Sequence, residues 1–129
     1  MCLLDGLLTW DGEGAVCTAR SHLDPANPLR REGRLAAIHA IEYAGQTAAL
    51  HCALTAPDGA PARALLAAVG EVRLARPYLD GLDGPIEVSA RRELALGGSA
   101  IYRFALAWAG ETIASGRLTV AGADRGGAP

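Results

Sequence analysis

Apolar positions run almost unbroken from Ala36 to Leu54, "AAIHAIEYAGQTAALHCAL", and one formally charged side chain, Glu42, interrupts them. The run is too long for a strand, and the pattern predicts a helix from about Leu35 to Leu54. Upstream, apolar runs flank "DGEG" at 11–14 and predict a β-hairpin over residues 1–20. Residues 21–34, "SHLDPANPLRREGR", hold two prolines and five charged residues and read as a loop. After the helix, "TAPDGAPARA" supplies a stop, and the pattern becomes extended. "ALLAAVGEVRLARP", "PIEVSARRELAL", "SAIYRFALAWAG" and "ETIASGRLTVAG" read as four strands, with turns at "GGS" and "AG".

Two strands, one long helix and about four further strands make an α+β domain over 1–122, with "ADRGGAP" at 123–129 as a flexible tail. A helix with so little charge does not suit a flat sheet, which would leave it a solvated outer face. The expectation is an antiparallel sheet of about six strands wrapped around the helix. At about 100° per residue, Ile38, Ile41, Gly45, Ala48 and Cys52 fall on one side. His39, Glu42, Tyr43, Gln46 and Thr47 fall on the other, with Glu42 and Gln46 one turn apart. A carboxylate in dry surroundings is held protonated toward neutral pH and suits a general acid. The structural alternative is a Glu42 that only accepts hydrogen bonds from Gln46, a backbone amide or an arginine.

Composition narrows the classes. The chain has 129 residues, 50% hydrophobic and 20% charged, with a net charge of −2. That charge excludes a global basic field for nucleic acid or an anionic membrane. The helical run approaches the ~20 residues of a membrane span, but His39, Glu42, Gln46 and His51 argue for a buried helix and no membrane insertion. Cys2, Cys17 and Cys52 are scattered and odd in number, with no metal spacing, and no secretory signal is visible. The expectation is a cytoplasmic protein with no metal.

"HLDPANPL" followed by "IEYAGQTAA" resembles the FabA/FabZ-like (3R)-hydroxyacyl-[acyl-carrier-protein] dehydratases, which have a hot-dog fold. "MCLLD", "IEYAGQ", "VGEVRLARPYLDGLDGPIEVSA" and "GRLTV" are similar to the dehydratase-like proteins of aryl polyene biosynthesis. The resemblance implies a hot-dog fold and removal of water from a 3-hydroxyacyl thioester, giving a trans-2-enoyl thioester in aryl polyene or related assembly. It implies His22 as the base that takes the C2 proton and Glu42 as the acid that protonates the leaving hydroxyl. Asn27 supports the loop, Gln46 orients Glu42, and a backbone N–H near Ala37 faces the thioester carbonyl.

No cofactor is implied beyond the phosphopantetheine arm that carries the substrate. The implied partner is an acyl carrier protein, whose acidic surface an arginine rim of Arg30, Arg31 and Arg34 would steer. A homodimer, or a heterodimer with a hot-dog paralogue, is also implied. His39 is a rival imidazole one turn before Glu42, with a hydrogen-bonded core or interface histidine as its other reading. Two competing functions remain: a hot-dog thioesterase, and a non-catalytic partner subunit of a heterodimeric dehydratase.

Overall fold

In a computed structural model, describing residues 2–56 and 64–122, the first hairpin forms where the turn residues place it. β1 (Gly6–Trp10) and β2 (Gly14–Ala19) flank a tight connection. There the Asp11 carboxylate accepts the N–H groups of Glu13 at 2.8 Å and Gly14 at 3.0 Å. Gly14 has a second duty: a Cβ there would stand 2.6 Å from the Ala90 carbonyl oxygen on the neighbouring strand.

The later strands are β3 (Ala64–Leu74), β4 (Ile86–Leu96), β5 (Ser99–Trp108) and β6 (Glu111–Gly122). All six join one antiparallel sheet in the order β1-β2-β4-β5-β6-β3. Ala109 (φ 51°) and Gly110 (φ 80°) close the β5–β6 hairpin, the left-handed pair that matches strand twist. Period-two burial follows along the inner face, through Ile86, Val88 and Ala90, then Tyr102, Phe104 and Leu106.

The helix α1 (Ala40–Thr55) lies against that face. A 3-10 turn, Ala37–His39, leads into it, and Pro57 follows in the sequence. Ala40, Tyr43, Ala44, Thr47, Ala48 and His51 are buried against the sheet. This corrects the expected faces. Tyr43 and Thr47 turn inward, whereas Glu42 points outward in company with Ile38. A helix apolar all round offers no periodic contrast, so the sheet's shape, not the pattern, decided which side it buried. The helix keeps an open outer face, and that face is largely apolar.

Both sheet edges are free among the described residues. β3 pairs with β6 alone, and Leu66, Val69 and Leu74 along it are exposed. A bulge interrupts it between Gly70 and Arg73, with Glu71 at φ 54°. No helix among the described residues is long and apolar enough to cross a membrane. The expected stop at 57–63 and the expected tail at 123–129 lie outside the described residues.

Candidate active site

Glu42 occupies the first turn of α1. It borders a cleft of about 350 Å³ whose other lining residues carry no ionisable group. Ile41, Gly45, Gln46 and Ala49 supply the helical side, and Leu3, Pro28, Leu29, Leu66 and Val120 the rest. The expected dry carboxylate is not what this chain provides by itself: the Glu42 side chain is 46% exposed. Its partner is His39, whose Nδ1 stands 3.2 Å from Oε2. Gln46, expected to orient Glu42, accepts the Leu3 N–H on Oε1 at 2.7 Å and so ties the N-terminal segment across the cleft.

Gly45 lies on the same stretch. A Cβ built there meets no atom within 4 Å, so packing within the chain does not require a glycine. In mid-helix it costs about 1 kcal/mol relative to alanine.

His22 sits in a 3-10 turn, Ser21–Leu23, directly after β2. Its ring is fully buried. Nε2 lies 2.8 Å from the Leu82 carbonyl oxygen, which can only accept, so Nε2 carries the hydrogen. The lone pair is therefore on Nδ1, and Nδ1 is buried with no hydrogen-bond partner. Burial lowers the His22 pKa below its ordinary 6.5, the Leu82 bond opposes this, and the Arg30 charge reinforces it. With Nε2 committed to Leu82, the lone pair on Nδ1 is the ring's proton-accepting site.

The loop is held by a dense set of bonds. Asn27 is buried; its Nδ2 donates to the Ser21 carbonyl at 2.9 Å and to the Tyr43 hydroxyl at 3.3 Å, and its Oδ1 accepts the Leu29 N–H at 2.9 Å. Ser21 Oγ donates to the Leu3 carbonyl at 2.7 Å and meets Tyr43 Oη at 2.7 Å. With its single hydrogen directed to Leu3, Ser21 accepts from Tyr43. Asn27 thus braces the loop that carries His22, and Tyr43 anchors that loop to α1.

The arginines divide. Arg30 faces inward to the loop, donating to the carbonyls of His22 at 2.7 Å, Asp24 at 2.9 Å and Gly33 at 2.9 Å. It is a loop clamp, not a member of a free rim. Arg34 bonds Asp80 at 3.0 Å and stacks over Tyr78, 3.6 Å from the ring centroid. Arg31 is exposed and pairs with Arg34 through the backbone. The Ala37 N–H is directed to the Pro77 carbonyl at 2.8 Å.

Within the chain, then, Glu42 meets His39, and His22 meets Leu82; His22 and Glu42 are not hydrogen-bonded to each other. The residues that sequence reasoning missed are Leu82, Ser21, Tyr43 as an anchor, and Leu3. Ser21 beside His22 was the one available signal, because a backbone carbonyl such as that of Leu82 leaves no trace in side-chain chemistry. Among the described residues, no group of three His, Cys, Asp or Glu side chains is placed to hold a metal.

One sheet of six antiparallel strands wrapped on one helix, with a carboxylate near the helix start, defines a hot-dog protein. The fold of the dehydratase heterocomplex ApeI:P from Xenorhabdus doucetiae matches with a TM-score of 0.83 at 16% identity, covering 96% of this chain and 84% of that one. A variant of the thioesterase PA1618 from Pseudomonas aeruginosa matches at 0.68 and 17% identity, covering 90% and 78%. The E. coli PaaI protein from the phenylacetic acid degradation operon matches at 0.65 and 16%, covering 90% and 81%. The family model ApeP-like, described as ApeP dehydratase, matches residues 1–126, and the chain belongs to that family. No curated protein matches the chain.

Proposed function

We propose that this protein removes water from a 3-hydroxyacyl thioester carried on acyl carrier protein, in aryl polyene or related assembly, as one half of a two-chain hot-dog dehydratase. One observation carries the reading: among the described residues, Glu42 is the single ionisable residue lining an apolar cleft. Membership of the dehydratase family supports it. Glu42, once covered by a second chain, donates its proton to the departing C3 hydroxyl, and an imidazole takes the C2 proton. Electrons from the C2–H bond form the double bond as the C3–O bond breaks, releasing water and the enoyl thioester.

His22 has the tautomer that the base needs, but in one chain it does not face Glu42. The acid of one chain therefore works with the imidazole of another. The free edge of β3 and the open face of α1 offer the surface for that second chain. The ApeI:P heterocomplex supports a paralogous hot-dog partner. An exposed arginine, Arg31, remains for contact with the carrier protein.

The test supplies a 3-hydroxyacyl carrier protein to the purified complex and follows loss of water by mass. Glu42→Gln abolishes turnover. If the assembly is a homodimer, mixing His22→Gln with Glu42→Gln restores part of it, because one site then keeps both groups. In a heterodimer, Glu42→Gln alone is inactive, and the partner's imidazole makes His22→Gln tolerated. Full activity of Glu42→Gln would refute the proposal.

A second reading, thioester hydrolysis, is favoured by the exposed carboxylate and by the thioesterases among the structural neighbours. Release of free thiol from the same substrate, without an enoyl product, decides for it.

A further inference from the structure

Ile41, Gly45 and Ala49 stand at i, i+4 and i+8 and form one stripe along the helical side of the cleft. The stripe is about 12 Å long at 1.5 Å per residue. Leu66 from β3, Val120 from β6 and Leu3 from the N-terminal segment line the cleft with it. Gly45 lies one turn beyond Glu42, and Ala49 a further turn away. The space above Gly45 is open, since no atom lies within 4 Å of the Cβ it lacks. Gln46, beside the stripe, bonds Leu3 and fixes that part of the wall.

We infer that Gly45 and Ala49 are specificity-determining residues that set the length of acyl chain the protein accepts. This rests on the dehydratase reading for the identity of the reacting end, but not for the shape of the cleft. The occupant is the unbranched alkyl portion of an acyl thioester. The cleft's volume lies in the range of small-molecule sites, its lining is apolar, and its one ionisable residue stands near one end. A chain lying along the stripe passes Gly45 first and Ala49 second, so the two positions limit length at different points.

The experiment uses the protein with its partner chain and a series of 3-hydroxyacyl carrier proteins of increasing length. Gly45→Val lowers kcat/KM tenfold or more for long substrates and less than twofold for the shortest. Ala49→Leu imposes the same loss only at greater lengths, and Gly45→Ala lies between Gly45→Val and wild type. A second measurement needs no turnover: displacement of a fluorescent fatty-acyl probe by saturated acyl thioesters of the same lengths. If no substrate loses water, yet displacement shows the two graded cut-offs, the dehydratase reading fails and this inference stands. If water is lost but both variants keep the wild-type length profile, the inference is overturned. It is also overturned if Gly45→Val splits the complex, by light scattering, with the length profile unchanged, because a partner's helix then fills the cleft.

Discussion

Two buried imidazoles divide the molecule. His51, near the end of α1, donates from Nε2 to the Asp11 carbonyl at 2.9 Å and accepts the Tyr102 hydroxyl on Nδ1 at 2.7 Å. His22 likewise donates from Nε2 to a carbonyl, but its Nδ1 has no hydrogen-bond partner. Both rings are fully buried, and burial holds both below the ordinary 6.5, Arg92 adding to the effect at His51 and Arg30 at His22. The difference is one hydrogen bond. A buried polar atom with its partner in place stabilises the fold, whereas one without a partner is costly.

The largest effect that tests this contrast is on activity. Glu42→Gln should reduce turnover at least about 100-fold, the usual scale for a lost general acid. It should leave the denaturant midpoint nearly unchanged, since Glu42 is half-exposed. Next comes His51→Ala, which leaves the Tyr102 hydroxyl only Cys52 Sγ, takes the donor from the Asp11 carbonyl and opens a cavity. It should lower stability by about 3 kcal/mol in denaturant melts. His22→Gln should cost under about 1 kcal/mol, because the amide still donates to Leu82. Equal losses at the two histidines would erase the distinction drawn between them.

A pH titration sharpens the contrast further. Both folded pKa values lie below 6.5, so the unfolded chain binds the additional protons. The stability each neutral ring contributes is fully present above 6.5 and is lost as pH falls through the lower folded value. Denaturant midpoints from pH 7.5 downward should therefore fall in wild type, and each single histidine-to-glutamine variant should flatten that fall. A comparably small effect on stability belongs to Tyr43→Phe. It removes the hydroxyl shared by Ser21 and Asn27 and should cost about 1 kcal/mol.

Much of the fold was legible. "DGEG" marks its turn through the Asp11 carboxylate rather than through a left-handed glycine, "AG" takes the left-handed pair, and period-two burial in β4 and β5 follows from alternating side chains. The helix was legible as a helix but not in its orientation, because alanine, isoleucine and cysteine on one side differ little from tyrosine and threonine on the other. Glu42 stood out as the lone charge. Its surroundings did not, since exposure depends on what the sheet leaves uncovered. Arg30 shows the same limit: three backbone carbonyls fold around it, and no sequence pattern records where carbonyls point.

Strand β3, free along one edge among the described residues, has a consequence for how the chain behaves in solution. An edge of eleven residues with leucine and valine facing water invites pairing with any extended peptide it meets. That strand is thus the part of the described chain most open to aggregation.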